Sequence, residues 1–147
     1  MASDSPGLIE DVSVEDAWDR LSRDPKSVLI DVRTRAEWAF VGMPDLASIG
    51  KRPILLEWQS FPESHVDPAF AERLKEALDG AGADRDSELL FICRSGARSL
   101  MAARVVAAEG YVRCRNVADG FEGSLDPARH RGKLGGWKAN GLPWVQG

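Results

Sequence analysis

Apolar residues recur at the spacing of a helix in three parts of the chain. The first stripe follows Ser13, which we expect to cap a helix. The second follows Asp67, another capping residue, and ends at Gly80. The third covers residues 97–109 and is stopped by Gly110, a residue suited to the end of a helix. The sequence therefore predicts at least these three helices.

Short runs of apolar and β-branched residues lie between and around these stripes and predict strands. They cover residues 28–32, 53–58, 88–92 and 111–117. Strands that alternate with helices of roughly 10 to 15 residues are typical of a parallel sheet with helices on both faces. Residues 119–147 are rich in glycine and tryptophan, and we expect mostly loop there with one short helix.

Length and composition indicate one globular domain. The 147 residues are 44% hydrophobic and 29% charged, and we expect a flexible tail over residues 1–7 and one domain over residues 8–147. The net charge of -4 and the lack of a basic run argue against a nucleic-acid partner. No signal peptide is visible, nor any apolar run near the roughly 18 residues of a membrane helix. We therefore expect a cytoplasmic protein without a membrane partner.

The residues that could bind a metal or form a disulfide are few and scattered. The two cysteines, Cys93 and Cys114, are far apart in the sequence, and so are His65 and His130. We therefore expect no disulfide framework, no metal site and no cofactor. Cys114 lies within a predicted strand, so we expect it to pack in the core.

Cys93 has the most informative neighbours of any residue in the chain, because it lies between the strand at residues 88–92 and the third predicted helix. At that position helix-terminal N–H groups, the helix dipole and the charges of Arg94 and Arg98 all lower the pKa of a thiol. Gly96 lets the backbone curl around the sulfur, and successive amides form a concavity for anions. We therefore expect Cys93 to be a nucleophile; the alternative is a buried structural thiol beside solvated arginines.

Residues 93–99 have the sequence Cys-Arg-Ser-Gly-Ala-Arg-Ser, which closely resembles the active-site loop of rhodanese-type sulfurtransferases. Residues 29–38 together with Gly42 resemble the amino-terminal signature of that family. Residues 116–121 are similar to the segment after its last strand, and residues 136–143 to its usual ending. Together these segments span most of the chain.

The resemblance implies a rhodanese-like α/β fold, with a central parallel sheet of about five strands flanked by helices on both faces. It also implies a double displacement without a cofactor. Cys93 would take sulfane sulfur from thiosulfate or a similar small anionic donor, and the persulfide would pass it to cyanide, to a thiol or to a protein acceptor. The residues implied to bind substrate and persulfide are Arg94, Ser95, Gly96, Ala97, Arg98 and Ser99. Asp31 and Arg33 are implied to support the site, and we expect Arg33 to pair with Glu37.

The chain departs from the family pattern in one region. Met43 stands where many relatives have a histidine, and residues 45–52 lack the usual Gly-Ala motif. The effect of Met43 and of residues 45–66 on substrate preference therefore stays open. Trp58 and Phe61 in this region either line the mouth of the pocket or pack in the core, and packing is the expectation.

Three other functions are alternatives to a sulfurtransferase. Related phosphatases need one more residue in the loop than separates Cys93 from Arg98, so the loop fits sulfur better than phosphate. Rhodanese-like domains also act as non-catalytic binding or regulatory modules, which the retained cysteine and arginines argue against. A persulfide carrier that hands sulfur to a protein partner would need the same residues as the enzyme. The loop lacks the Cys-Gly-(Ser/Thr)-Gly form, which favours thiosulfate-like anions over mercaptopyruvate.

Overall fold

The computed structural model describes residues 9–59 and 65–146, and the predicted tail over residues 1–7 and Phe61 lie outside them. Its elements in chain order are β1 (Glu10–Val12), α1 (Val14–Arg23), β2 (Val28–Asp31), α2 (Arg35–Phe40), β3 (Met43–Pro44), a 3-10 turn (Ala47–Ile49), β4 (Ile54–Leu55), α3 (Phe70–Gly80), β5 (Leu89–Ile92), α4 (Ala97–Ala108), β6 (Cys114–Val117), α5 (Gly136–Ala139) and β7 (Trp144–Val145). None of the helices within the described ranges is long and apolar enough to cross a membrane.

Five strands form one parallel sheet in the order β1-β6-β5-β2-β4, which confirms the predicted architecture. The short strands β3 and β7 pair with each other in antiparallel fashion. The hydrophobic pattern did not predict β1, β3 or β7, because each has only two or three residues. So few residues cannot display the alternation that identifies a strand.

Helices cover both faces of the sheet and divide the core into two clusters. Side chains of α3 and α4 pack on one face, and side chains of α1 and α5 pack on the other. Within β5, Phe91 belongs to the first cluster and its neighbours Leu90 and Ile92 to the second, as the period of a strand requires. Cys93 continues this alternation and faces the side of α3 and α4.

Three predicted element boundaries differ from the structure, whereas α1 begins as predicted, with Ser13 as its cap. The strand predicted from residue 111 begins only at Cys114. Asp67 is not the cap of α3. Its side-chain Oδ1 accepts a hydrogen bond from the amide of Ala69 at 2.9 Å and its carbonyl accepts one from Phe70 at 3.2 Å, so a turn precedes the helix. Of the strand predicted over residues 53–58, only the two residues of β4 pair with the sheet, where β4 is an edge strand.

Candidate active site

Cys93 lies at the carboxyl end of β5, directly before the loop that leads into α4. Its side chain is buried, and its Sγ accepts a hydrogen bond from the amide of Gly96 at 3.1 Å. Gly96 has a φ of +105°, and a Cβ on it would collide with the carbonyl oxygen of Ala118. Glycine at this position is therefore what lets the backbone bring an amide to the sulfur.

Further backbone amides of the loop are free to bind an anion. Five of them have no hydrogen-bond acceptor in the part of the chain that the structure describes, those of Arg94, Ser95, Ala97, Arg98 and Ser99. Two carbonyls on the same loop are occupied: that of Cys93 accepts from Phe121 at 2.8 Å, and that of Arg94 accepts from Glu122 at 3.0 Å. The start of α4 thus combines unpaired N–H groups with the positive end of the helix dipole, which together favour a negative charge.

A chain of polar side chains reaches the sulfur from the neighbouring strand. Ser99 Oγ lies 3.2 Å from Cys93 Sγ and 2.6 Å from Asn116 Oδ1. Asn116 Nδ2 donates to Asp11 Oδ1 at 3.1 Å and to the carbonyl of Gly96 at 3.2 Å. Since both of these groups accept, the amide has one possible orientation, and the single hydroxyl proton of Ser99 goes to Asn116. The Ser99 hydroxyl therefore presents a lone pair, and not its proton, to Cys93 Sγ.

Arg98 forms a two-point ion pair with Glu37, with Nη1–Oε1 at 2.7 Å and Nη2–Oε2 at 2.9 Å. Glu37 also closes the capping box of α2 with Thr34. Burial alone would raise the pKa of the Glu37 carboxyl, but the hydrogen bonds and charge of Arg98 outweigh it and hold that pKa below its ordinary value. The same pairing raises the pKa of Arg98. The guanidinium of Arg98 thus joins α4 to α2.

The expected pair between Arg33 and Glu37 is wrong. Arg33 is completely buried and pairs with Asp31, with Nη2–Oδ2 at 2.7 Å and Nε–Oδ1 at 3.0 Å. It also donates to the carbonyl of Gly42 at 2.8 Å, and its guanidinium lies 4.3 Å from the centre of the Phe121 ring. Glu37 is unavailable to Arg33 because its carboxylate is already bonded to Thr34 in the capping box and to Arg98 of α4. The pair of Asp31 and Arg33 therefore links the end of β2 to Gly42, which follows α2, and to Phe121, which follows β6.

Three other residues that the sequence singled out either pack in the core or pair between strands. Trp58 is buried and packs edge-on against Phe70 with ring centres 5.1 Å apart, so its role is packing. Met43 pairs with Val145 between β3 and β7. Cys114 is buried in the core as expected, and burial raises the pKa of its thiol to about 12.

A cavity of about 600 Å³ opens beside the cysteine loop. Arg94 and Arg98 line it from the loop, and residues in and beside α2, one residue after β4 and the carboxyl-terminal segment complete its wall. These are Thr34, Ala36, Glu37, Val41, Gln59, Glu122, Leu125, Arg129 and Arg131. Sequence reasoning missed the last four because residues 119–147 show no periodicity. It also missed Asn116, because the predicted strand that holds it also carries Arg113 and Arg115, so a further polar residue there is no signal.

Comparison with known proteins gives close and distant relatives. The family model described as STR4 middle domain matches residues 9–147. The uncharacterized protein RP600 of Rickettsia prowazekii is 36% identical over 137 residues, which cover 93% of this chain and 98% of that protein. The crystal structure of Rv0390 from M. tuberculosis is 42% identical with a TM-score of 0.83, covering 94% of this chain and 98% of that one.

The more distant matches name the wider group. Rhodanese-like domain-containing protein 4, chloroplastic, from Arabidopsis thaliana is 24% identical over 91% of this chain, which corresponds to 25% of that protein. The solution structure of a polysulfide-sulfur transferase homodimer from Wolinella succinogenes is 21% identical and shares the fold, with a TM-score of 0.58 over 99% of this chain and 83% of that one. The distant homologues and structural neighbours are rhodanese-like sulfurtransferase domains.

Proposed function

The chain belongs to the STR4 middle domain family, among the rhodanese-like domains, and we propose that it is a sulfurtransferase that carries sulfane sulfur as a persulfide on Cys93. The observation that carries the proposal is the hydrogen bond from the Gly96 amide to the sulfur, in a loop whose neighbouring amides have no acceptor among the described residues. Gly96 donates to Sγ at 3.1 Å, and the free amides of the same loop are available to a second sulfur atom. Hydrogen bonds from backbone amides are favourable to a thiolate and to the terminal sulfur of a persulfide.

The proposed reaction has two displacements. The Cys93 thiolate attacks the outer sulfur of thiosulfate or a similar anion, a new S–S bond forms, and the donor's S–S bond breaks so that sulfite leaves with the electron pair. The acceptor, cyanide or a thiolate, then attacks the outer sulfur of the persulfide, and Cys93 leaves as a thiolate. Preorganised amides stabilise the sulfur anion in both steps without a cofactor.

The arginines of the loop have different parts in this proposal. Arg94 is exposed and lines the cavity, so it can attract an anionic donor. The charge of Arg98 is largely balanced by Glu37, so we propose that Arg98 fixes the start of α4 and with it the loop that brings the Gly96 amide to the sulfur. Ser95 and Ala97 contribute backbone amides.

Intact mass spectrometry tests the proposal directly. The reduced protein is incubated with thiosulfate, weighed, and then treated with cyanide. We expect the mass to increase by one sulfur atom and to return to its starting value as thiocyanate is released. The Cys93→Ala variant should show no gain. A protein whose mass never changes with any sulfane donor would instead be a binding or regulatory module, and sulfur that passes only to a protein thiol would indicate a carrier.

A further inference from the structure

Asp11 is the outermost member of the polar chain that leads to Cys93, and it belongs to the edge strand β1. In the ladder between β1 and β6, Asp11 is the direct partner of Asn116. Asp11 is exposed, whereas Asn116 is only 3% exposed and Ser99 is completely buried. Two buried side chains thus connect a carboxylate at the edge of the sheet with the sulfur.

The Asp11 carboxylate has no ion pair that would explain its place on β1. Within residues 9–59 and 65–146 it pairs with no lysine or arginine and accepts one hydrogen bond, from Asn116 Nδ2 at 3.1 Å. Its neighbour Glu10 differs, because that carboxylate lies 3.0 Å from Arg115 and 3.4 Å from Arg20. Among the described residues, the Asp11 carboxylate therefore serves Asn116 alone.

The hydrogen bond to Asp11 decides which end of the Asn116 amide faces Ser99. A carboxylate only accepts, so it binds the NH₂ group and leaves Oδ1 facing the Ser99 hydroxyl, 2.6 Å away. The carbonyl of Gly96 accepts the second N–H at 3.2 Å and favours the same orientation. The Ser99 proton is then committed to Asn116, and the sulfur faces an oxygen lone pair at 3.2 Å.

We propose that Asp11 is a positioning residue that restrains the nucleophilicity of Cys93 by holding the Asn116 amide in the orientation that keeps the Ser99 proton from the sulfur. The inference rests on Cys93 as the nucleophile of the proposed function. If the amide turned over, Asn116 would donate to the Ser99 oxygen, and the hydroxyl would donate to a Cys93 thiolate. A donor stabilises a sulfur anion, whereas a lone pair repels it. The edge strand β1 thus acts on a thiol two strands away.

Alkylation of Cys93 by iodoacetamide across pH, followed by peptide mass, tests the proposal in the full chain. Asp11→Ala frees the amide, because water in place of the carboxylate can donate as well as accept. We expect Cys93 to react roughly twofold to fivefold faster at neutral pH in this variant, with the midpoint of its pH profile at lower pH. Asp11→Asn keeps an acceptor oxygen and should stay close to the parent.

A double mutant separates the hydrogen-bonded chain from the charge of Asp11. Removal of a negative charge also favours a thiolate over distance, and that effect does not need the hydroxyl. In the Ser99→Ala background the chain is cut, so Asp11→Ala should change neither the rate nor the midpoint further. An equal acceleration in both backgrounds, or an equal one in Asp11→Asn and Asp11→Ala, would overturn the inference.

Glu10→Ala is the matched control, because it removes a carboxylate from the same strand without touching the hydrogen bond between Asp11 and Asn116. Its alkylation profile should equal that of the parent. If Glu10→Ala accelerates the reaction as much as Asp11→Ala, a general loosening of β1 is the cause and Asp11 has no positioning role.

Sulfur loading is measured separately, by intact mass after incubation with thiosulfate. If the coupling between Asp11 and Ser99 is found but no donor adds sulfur to Cys93, the assigned reaction is wrong and the positioning role stands. If sulfur loads and Asp11→Ala leaves alkylation unchanged, the positioning role is wrong and the proposed function stands.

Discussion

Cys93 and Cys114 lie on neighbouring strands of the same parallel sheet, but at opposite ends of those strands. Cys93 follows the last residue of β5, whereas Cys114 begins β6 and is paired with Leu89, the first residue of β5. Both are buried, with exposed fractions of 1% and 4%. Among the described residues, the thiol of Cys114 has only a long contact to the carbonyl of Tyr111, at 3.5 Å, and burial raises its pKa to about 12.

The contrast arises from backbone direction. At the carboxyl ends of parallel strands the chain turns into a helix, so the start of α4 follows Cys93 and the amide of Gly96 bonds its sulfur. At the amino edge, Cys114 meets a carbonyl, which repels a sulfur anion. Burial by itself therefore makes a thiol inert, and a buried thiol becomes useful only where amides replace the water it has lost.

The largest expected effect comes from removing each cysteine in turn. Cys93→Ala should abolish the sulfur-dependent gain in mass entirely, whereas Cys114→Ala should load fully because its thiol is not ionised at neutral pH. Cys114→Ala should cost about 1 kcal/mol in the free energy of unfolding, as a small truncation in the core. Intact mass and denaturant unfolding check both. Loss of loading in Cys114→Ala with unfolding still cooperative would reverse the assignment of the nucleophile.

Gly96→Ala should have the next largest effect. A methyl group there combines a left-handed φ with a collision against the carbonyl oxygen of Ala118, so the loop must move and its amide must leave the sulfur. We expect loading to slow by about tenfold or more, together with about 1–3 kcal/mol lost in the free energy of unfolding.

Gly82→Ala is the matched control for Gly96→Ala. Gly82 also has a positive φ, of +76°, but no atom lies within 4 Å of the added methyl group. It should lose about 1 kcal/mol in the free energy of unfolding and keep the parent's rate of loading. If both variants load at the same rate, the approach of the Gly96 amide is not what makes Cys93 reactive.

Glu37→Gln should destabilise the protein in a way that depends on pH. The pKa of Glu37 is lowered in the folded state, so its contribution is complete above its unfolded pKa, near 4.3, and is lost as pH falls through the lower folded value. We expect a loss of about 1–2 kcal/mol at neutral pH that shrinks toward zero below about pH 4.

Denaturant unfolding across pH measures this difference. Asp79→Asn is the control, because the pair between Lys75 and Asp79 is largely exposed and should change stability little at any pH. A loss in Glu37→Gln that stays constant down to strongly acidic pH would show that the ion pair with Arg98 does not cause it.

Local signals explain which parts of the molecule the sequence predicts. The central strands, α1 and the loop after Cys93 are recognisable because each depends on residues close together in the chain. Partners across the fold are not: Arg98 finds Glu37 at a separation of 61 residues. Proximity in sequence suggested Arg33 for Glu37, but burial beside Asp31 offers that guanidinium a better partner. The cavity also depends on Arg129, which belongs to a segment without periodicity.

The smallest expected effect tests in which direction the Ser99 hydroxyl beside Cys93 points. Because Asn116 takes the hydroxyl proton of Ser99, the Ser99 oxygen presents a lone pair to Cys93 Sγ, which repels a sulfur anion. Ser99→Ala removes that repulsion while the amide of Gly96 remains. We therefore expect iodoacetamide to alkylate Cys93 faster in Ser99→Ala at neutral pH, by roughly threefold, as for the loss of one neutral hydrogen bond.

Ser95→Ala is the control for Ser99→Ala, since Ser95 lies in the same loop without contacting the sulfur through its side chain. Its alkylation rate should equal that of the parent. Slower alkylation in Ser99→Ala would mean that the hydroxyl turns away from Asn116 and donates to the sulfur anion. The sign of the change thus decides whether the polar chain from β6 protects the resting thiol or activates it. Only the first alternative agrees with the fixed orientation of the Asn116 amide between Asp11 and Gly96.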